Sequence, residues 1–310
     1  MSKIKLVKEN PRFILARINS LLTYINQKFH QRFVSKSGFD MMSADWDNLL
    51  ILDACRYDEF VSIADLPGET EAKISPGSIS LEWYEESING HELFDTVCVS
   101  ANPYTHDFAS QFHDADLLYS DEYWDTELCT VPPETVAERA RVMADKHPDK
   151  RLLIHFMQPH FPPIGPSREE LPVSGNPPDG VTTDKSHLGV QTYLNGQVDG
   201  VTDEKALKGY RENLEIVLET VSSLLNDLDG KTVISADHGE LFGERLYPIP
   251  VRGTLHSSYI RVDPLVTVPW HIVPFESRRE TTTEEPEEGQ ESFDDDLIEL
   301  RLTALGYREE

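Results

Sequence analysis

The chain of 310 residues has few cysteines and no long apolar run. Its three cysteines, Cys55, Cys98 and Cys129, lack the spacing of a metal site, and an odd number favours reduced thiols in a reducing cytoplasm. No apolar stretch reaches the roughly 18–20 residues that a membrane-spanning helix needs. The first residues, from Met1 to Lys5, also lack the apolar core of a secretory signal. We therefore expect a cytoplasmic protein.

Positive charge is scarce as well, with 28 Lys and Arg against 55 Asp and Glu, for a net charge of −27. The distribution is uneven, because residues 1–38 hold eight basic residues and one acid, Glu9, which leaves −34 for the rest. Such an acidic body is typical of halophilic proteins, which hold water and salt at their surface; an ordinary acidic protein is the alternative. Nucleic acid is excluded as a partner, since phosphate contacts need basic residues.

The basic N-terminal segment, residues 10–35, has the pattern of one amphipathic helix. Asn10 can cap it, and Pro11 suits its first turn. The apolar residues at helical spacing are Ile14, Ile18, Leu21, Leu22, Ile25, Phe29 and Phe33. Basic residues occupy the other face. Two interpretations stay open: the helix packs on the flank of its own domain, or it makes peripheral contact with an anionic membrane on the cytoplasmic side.

The remainder alternates short apolar runs with longer helical patterns. Strands are predicted at Leu49–Asp53, Thr96–Ser100, Leu152–Phe156, Thr232–Ala236 and Val268–Val273, and helices at Val131–Lys146 and Asp203–Asp227. This alternation favours an α/β fold, a three-layer sandwich around a mostly parallel central sheet.

The domain plan follows from composition. Residues 1–38 form the basic helix, 39–277 a catalytic body, and 278–310 an acidic linker with a short C-terminal helix. The stretch 162–200, rich in Pro, Gly, Asp and Thr, is predicted to be a long surface loop that borders the pocket. Ten acids in residues 280–299 predict a disordered linker.

Two of the predicted strands end on acids. One run leads into Asp53, and the other leads into Asp237 and His238. The carboxyl ends of parallel strands meet at one edge of a sheet, and carboxylate with imidazole is a donor set for a divalent metal. Gly239 lets the chain turn tightly after this pair. Taken alone, the second motif also fits a surface loop with a solvated histidine.

These residues carry a resemblance. Asp53-x-x-Arg56-x-Asp58 resembles the opening of sulfatase-like proteins of the alkaline phosphatase superfamily, and 237–240 resembles their Asp-His-Gly-Glu metal motif. The segment 155–162 resembles their His-x-Pro-His-x-Pro motif, and His256 followed by Val268-Pro269-Trp270 resembles their late histidine and strand. The four motifs occur in the right order, from about residue 45 to residue 273.

A nucleophile is the remaining element that the resemblance requires. The Cys-x-Pro-Ser-Arg motif of true sulfatases is absent. The segment 76–83, Pro-Gly-Ser-Ile-Ser-Leu-Glu-Trp, looks like the Gly-Lys-Thr-Ser-Asp-x-Glu-Phe segment of lipoteichoic acid synthases and phosphoglycerol transferases. The match implies Ser78 as the nucleophile. Ser75, Ser80 and Thr105 are the lesser candidates, and a helix cap is the structural alternative for Ser78 or Ser80.

The resemblance implies one divalent cation, Mn²⁺, Zn²⁺, Mg²⁺ or Ca²⁺. A transition metal is preferred, because histidine stands where sulfatase calcium sites have an amide. The implied ligands are Asp53, Ser78, Asp237 and His238. The implied catalytic residues are Ser78, His160 and Arg56, and the implied substrate contacts are His155, His256 and Asn102. Alternatives remain for three of them: a solvated loop residue for His160, a brace of Asp53 or Asp58 for Arg56, and a turn with Pro103 for Asn102.

The implied function is a metal-dependent hydrolase or transferase that acts on phosphate or sulfate esters through a serine. The substrate is expected to be a small molecule, a glycan or a lipid ester. A true sulfatase and a binding protein without catalysis are the alternatives.

Overall fold

The computed structural model describes residues 11–35, 37–171, 202–286, 295–305 and 307. Its centre is a seven-stranded sheet with the order β2-β9-β6-β1-β5-β3-β4. A separate hairpin pairs β7 with β8. The strands are β1 (Asn48–Leu52), β2 (Glu69–Ile74), β3 (Leu93–Ser100), β4 (Phe112–Leu117), β5 (Arg151–Phe156), β6 (Thr232–Ser235), β7 (Leu241–Arg245), β8 (Arg252–Leu255) and β9 (Thr267–Ile272).

The predicted α/β fold with a mostly parallel sheet is confirmed. The strands β6, β1, β5, β3 and β4 are parallel, and only β9 runs against its neighbours β6 and β2. All five residues of β1 are buried, with Leu50 aligned between Ile154 of β5 and Ile234 of β6. An apolar strand covered on both faces is what a central position requires.

Helices cover the sheet. They are α1 (Pro11–Phe33), α2 (Tyr57–Ile63), α3 (Ser80–Ser87), α4 (Pro133–Lys146), α5 (Asp203–Leu224), α6 (Asp263–Val266) and α7 (Asp295–Ala304), with 3₁₀ turns at Pro103–Gln111 and Pro166–Glu169. The helix α4 packs against α5 and against β3 and β5. None of the described helices is long and apolar enough to cross a membrane.

The apolar stripe predicted for the N-terminal helix is not its buried face. The helix forms as α1, but Leu21 and Phe33 are exposed, whereas Asn26 and His30 are buried against the body. Leu22 is partly buried against the cluster around Leu241. Hydrophobic spacing alone does not predict this orientation, because side-chain hydrogen bonds decide it.

The acidic stretch after β9 begins as an ordered segment. The buried ammonium of Lys150 donates to the carbonyl and hydroxyl oxygens of Thr282 and to Glu284. The predicted disorder therefore does not extend to residues 282–284, because this lysine needs their oxygens once it is buried. Residues 287–294 and most of the predicted 162–200 loop, from residue 172, lie outside the described residues.

Candidate active site

The two acids predicted from the strand ends meet at the carboxyl edge of the sheet. Asp53 follows β1 and Asp237 follows β6, its parallel neighbour, and both are fully buried. One oxygen of Asp237 accepts hydrogen bonds from the amides of Ala54 (3.0 Å) and His238 (2.8 Å). Its other oxygen, Oδ2, has no hydrogen-bond partner, and neither has Oδ1 of Asp53.

His155 completes a triad with these acids. Its Nε2 lies 3.4 Å from Asp53 Oδ2 and 3.8 Å from Asp237 Oδ2, and it also lacks a hydrogen-bond partner. The other ring nitrogen, Nδ1, is 2.7 Å from the hydroxyl of Tyr84. Buried polar atoms without partners are costly, and three of them point at one another here. One donor atom from each residue lies within 4.8 Å of the others, so the triad fits a divalent cation.

His238 joins this group from the side of Asp237. Its Nδ1 lies 2.8 Å from the carbonyl of Gly239, so Nδ1 carries the proton and the Nε2 lone pair is free to bind. That Nε2 is 3.5 Å from Asp237 Oδ2 and 3.7 Å from Asp53 Oδ1. A histidine whose second nitrogen is fixed by a carbonyl has the arrangement typical of metal ligands.

A second cluster adjoins the first. His160, Glu240 and His256 also bring one donor atom each to within 4.8 Å. His256 Nδ1 lies 3.2 Å from Glu240 Oε2, and the ring of His256 lies 4.6 Å from that of His238. The structure thus brings the predicted substrate residue His256 together with Glu240, which the sequence interpretation left without a role. This second cluster can hold a second cation or the oxygens of an anionic substrate.

The structure places Ser80 at the cluster, where Ser78 was predicted. Ser80 is the first residue of α3, and its Oγ lies 3.3 Å from His238 Nε2 and 3.4 Å from Asp53 Oδ2. Ser78 Oγ instead lies 2.9 Å from Glu82 Oε2 and 3.1 Å from the carbonyl of Ser257, the two acceptors within reach of its one hydroxyl hydrogen. Ser78 lies two residues before the helix and does not contact Asp53 or Asp237, so the prediction of Ser78 as metal ligand and nucleophile does not fit this geometry.

The other two hydroxyl candidates have structural partners. Ser75 donates its hydroxyl to the carbonyl of Asp237. Thr105 donates to the carbonyl of Asn102 (2.8 Å) and lies 2.5 Å from the hydroxyl of Tyr84. Of the four candidates, Ser80 alone contacts both Asp53 and His238.

Two backbone features hold the edge in shape. Gly239 is required because a Cβ there would collide with the carbonyl oxygen of Pro264. Ala54 adopts a left-handed conformation (φ 59°), which turns its amide towards Asp237. Such a conformation costs an alanine about 1 kcal/mol and is frequent at functional sites.

Arg56 braces the loop below the site. Its guanidinium donates twice to Asp58 (2.9 and 2.7 Å) and also to Glu244 (2.5 Å) and to the carbonyl of Glu240 (3.2 Å). These four hydrogen bonds tie the guanidinium to the surrounding loops, so the structure favours the bracing alternative over the predicted catalytic role. Asn102 forms the turn beside Pro103, where its oxygen accepts from the amide of Tyr104 (2.9 Å), and its Nδ2 donates to Asp53 (2.7 Å). Its predicted contact with substrate stays a prediction.

Burial and charge set the protonation of the cluster. Burial opposes the charge of Asp53, but the imidazoles of His155, His160 and His238 outweigh it and hold the pKa of Asp53 below its usual value. Burial lowers the pKa of His160, which favours its neutral form. For His256 burial acts in the same direction, yet the neighbouring Glu240 carboxylate raises the pKa of this histidine overall.

Tyr307 is a site residue that sequence reasoning missed. Its hydroxyl donates to Asp53 Oδ2 (2.7 Å) and lies 3.3 Å from Ser80 Oγ. Its ring stacks on His160, with 4.8 Å between ring centres. Burial and the carboxylate of Asp53 raise the pKa of Tyr307 well above its ordinary value, so it stays a phenol. No local pattern marks this residue, because it lies 254 positions from Asp53.

No protein-family profile and no curated protein sequence matches the chain. Solved structures do match. Lipooligosaccharide phosphoethanolamine transferase A, an integral membrane protein of Neisseria meningitidis, matches at 13% identity and a TM-score of 0.42 over 74% of this chain and 48% of its own. The chain therefore spans about half the length of that transferase.

Two further solved structures match with similarly low identity and TM-scores. The C-terminal periplasmic domain of EptC from Escherichia coli, solved in complex with zinc, matches at 11% identity and a TM-score of 0.37, over 76% of this chain and 75% of its own. A protein in the alkaline phosphatase superfamily from Vibrio parahaemolyticus matches at 13% identity and a TM-score of 0.39, over 87% of this chain and 69% of its own. The sequence motifs resemble the superfamily that this last description names.

Proposed function

We propose that the chain is a metal-dependent enzyme that cleaves or transfers phosphate esters through Ser80. The observation that carries this proposal is the position of the Ser80 hydroxyl. It lies within 3.4 Å of both Asp53 and His238, beside three buried polar atoms that lack hydrogen-bond partners. A hydroxyl next to a donor set for a divalent cation is an arrangement that activates a nucleophile.

The residues that fit the cation are Asp53, His155, Asp237 and His238. A bound divalent ion lowers the pKa of a neighbouring hydroxyl and neutralises charge on a phosphoryl group. Because two imidazoles stand beside two carboxylates, Zn²⁺ or Mn²⁺ suits the set better than Mg²⁺ or Ca²⁺. Asn102 and Tyr84 orient Asp53 and His155 by hydrogen bonds of 2.7 Å each.

Ser80 is suited to attack phosphorus. It opens helix α3, where the amides of the first turn create a positive local field that favours a developing alkoxide. The bond between Ser80 Oγ and phosphorus forms as the bond from phosphorus to the leaving alcohol oxygen breaks, and the proton that Ser80 loses balances the one with which the alcohol leaves. Water or an acceptor alcohol then displaces the serine, which separates a hydrolase from a transferase.

The second cluster can bind the non-bridging oxygens. His160 and His256 flank the site, and Tyr307 covers it by stacking on His160. Shielding from water strengthens the interactions of charged groups inside. The ester is proposed to belong to a small molecule, a glycan or a lipid.

A cysteine-based sulfatase mechanism is disfavoured by the thiols. Cys55, the cysteine nearest in sequence to Asp53, is buried, and burial raises its pKa well above the ordinary value. Its thiol donates weakly to the carbonyl of Arg56, at 3.8 Å. A protonated, enclosed thiol is neither a nucleophile nor accessible to oxidation. Sulfate esters remain substrates to be tested against the serine mechanism.

The deciding experiment measures hydrolysis of nitrophenyl phosphate monoesters and diesters and of nitrophenyl sulfate with Mn²⁺, Zn²⁺, Mg²⁺ or Ca²⁺. Ser80→Ala is compared with Ser78→Ala, a matched change two residues away. We expect turnover to fall by about 10³-fold or more in Ser80→Ala, because nucleophile removal has effects of this size or larger. Ser78→Ala should keep most of this turnover, because it removes only the hydroxyl contacts with Glu82 and with the carbonyl of Ser257.

Equal losses in both variants, or a loss confined to Ser78→Ala, would contradict Ser80 as the nucleophile. Mass spectrometry of the protein quenched with substrate adds a second readout, a phosphoryl adduct on the peptide that contains Ser80. Bound metal without turnover on any ester points to a transferase that needs its own donor. Failure to bind any divalent ion would favour the binding protein without catalysis.

A further inference from the structure

Helix α1 contacts the body through polar side chains. Asn19 Nδ2 donates to the carbonyl of Arg252 (3.0 Å), next to the hairpin turn. Asn26 is fully buried and pairs twice with the backbone of Ile249: its Nδ2 donates to the carbonyl (2.8 Å), and its Oδ1 accepts from the amide (2.9 Å). A buried asparagine that pairs both ways with one residue fixes the rotation of the helix.

His30 continues this row one turn later. Its Nδ1 accepts from the amide of Arg261 (3.1 Å), so Nε2 carries the proton and donates to the carbonyl of Tyr247 (2.7 Å). Asn19, Asn26 and His30 follow one another at intervals of seven and four residues, which places them on one face of the helix. The inward face of α1 therefore consists of two amides and an imidazole, with Leu22 between them packed on the cluster around Leu241.

The outward face of α1 is apolar. Ile18 is 48% exposed, Leu21 60% and Ile25 43%, with Tyr24 at 54% beside them, and Phe33, the last residue of the helix on the side of His30, is 72% exposed. These five are nearly half of the eleven large hydrophobic side chains that are exposed in the described part of the chain. Scattered exposed apolar residues are ordinary, whereas a stripe along one helix marks a contact surface.

We propose that this face of α1 docks on an anionic lipid bilayer. Lys28 and Arg32 are exposed beside the apolar stripe, and residues 1–38 carry a net charge of +7. A helix with an apolar stripe, aromatic residues and flanking basic charge lies in the interface of anionic membranes. Twenty-three residues give it a length of about 35 Å along the surface.

The charge distribution of the chain favours an anionic bilayer over a second copy of the chain as the partner of α1. The remaining residues carry −34, so an anionic surface attracts α1 and repels the body. A second copy docked stripe to stripe would bring two basic segments together, which opposes association. The polar inward row leaves the hydrophobic stripe available while the helix stays attached to the domain.

The test is flotation of the full chain with vesicles of phosphatidylcholine containing 30% phosphatidylglycerol, in about 0.1 M salt, where charges act over about 10 Å. Ile18→Ser, Leu21→Ser and Ile25→Ser are combined in one variant. A matched control places serines at Val142 (44% exposed) and Leu300 (52% exposed), apolar sites on other helices. The triple variant should bind vesicles at least tenfold more weakly, while the control should bind like the wild type.

The second part of the test changes the charge of the helix and of the vesicles. Lys28→Gln and Arg32→Gln should each weaken binding about fivefold, and vesicles of phosphatidylcholine alone should bind little. Unchanged thermal melting shows that the variants fold, which is expected because the altered side chains are exposed. Wild-type protein that does not bind anionic vesicles, or a triple variant that binds as well as the wild type, overturns the proposal. So does a wild-type dimer in light scattering that the triple variant converts to a monomer without any vesicle binding.

Discussion

The two ends of strand β1 carry buried acids with opposite surroundings. At the amino end, Asp47 is held by Arg278 through two hydrogen bonds (2.7 and 2.9 Å) and by the amide of Lys231 (2.7 Å). At the carboxyl end, Asp53 keeps one oxygen without a partner. Both are at most 1% exposed. A satisfied buried acid serves stability, whereas an incompletely satisfied one among histidines is free to serve a ligand.

The largest expected difference is in activity. Asp53→Asn should lower metal-dependent ester turnover by roughly 10³-fold, because a neutral amide is a poor cation ligand and leaves less charge to organise the site. Asp47→Asn, the same change at the other end, should stay within a few-fold of the wild type. Steady-state kinetics on the folded variants measures the two turnover rates. Similar losses of turnover in Asp53→Asn and Asp47→Asn would contradict the difference between the two acids.

Metal binding should stabilise the chain through Asp53 at the carboxyl end of β1, and not through Asp47 at its amino end. A cation at a hundredfold excess over its Kd adds about 2.7 kcal/mol to the free energy of unfolding. Thermal melting with and without Zn²⁺ or Mn²⁺ should show this rise in the wild type and in Asp47→Asn. The rise should vanish in Asp53→Asn, and its persistence there would place the bound metal elsewhere.

Asp47→Asn should instead lower stability, by about 1.5–3 kcal/mol, which is the range for a hydrogen bond to a charged group. The pKa of Asp47 is lowered in the folded state, because the bonds from Arg278 and Lys231 outweigh its burial. A lowered folded pKa contributes stability above the unfolded value, about 3.9, that is lost as the pH falls through the folded pKa. The difference between wild type and Asp47→Asn in urea unfolding should therefore shrink as the pH falls below about 4.

The smallest effect concerns the partners of the site histidines. Tyr84→Phe removes the hydroxyl that orients His155 and should weaken metal affinity about tenfold. Tyr119→Phe is the matched control, since this buried tyrosine lies 3.1 Å from His106, a residue outside both candidate metal clusters. Isothermal titration with Zn²⁺ measures both, and an unchanged affinity in Tyr84→Phe would remove this orienting role.

Burial in the sheet explains which strands could be predicted from the sequence. The five predicted strands are β1, β3, β5, β6 and β9, and their apolar runs reflect burial in the sheet. Strand β2 was missed because it is an edge strand of mostly polar residues, none of them buried. The hairpin of β7 and β8 was missed too, since its short strands contain arginines and glycines.

The candidate site was predictable where a residue follows directly from a strand. Asp53, Asp237 and His238 lie where the strand ends were expected to place them. Ser78 and Ser80 could not be separated by motif, because the choice depends on where helix α3 begins. The place of Glu240 in the site could not be predicted, because it depends on the contact with His256 that the fold creates. The place of Tyr307 could not be predicted, because it depends on the path of the chain after α7.

The central position of β1 also has a consequence for synthesis of the protein. This strand is complete at Leu52, but its two neighbours begin only at Arg151 and Thr232. At about 5–20 residues per second, the ribosome needs roughly 10–40 s to reach the end of β6. Both edges of this apolar strand are unpaired until β5 is complete at Phe156, and one edge stays unpaired until β6 follows, which exposes the strand to aggregation. Slow translation or chaperone shortage should therefore reduce the yield of this chain more than that of a fold whose central strand pairs early.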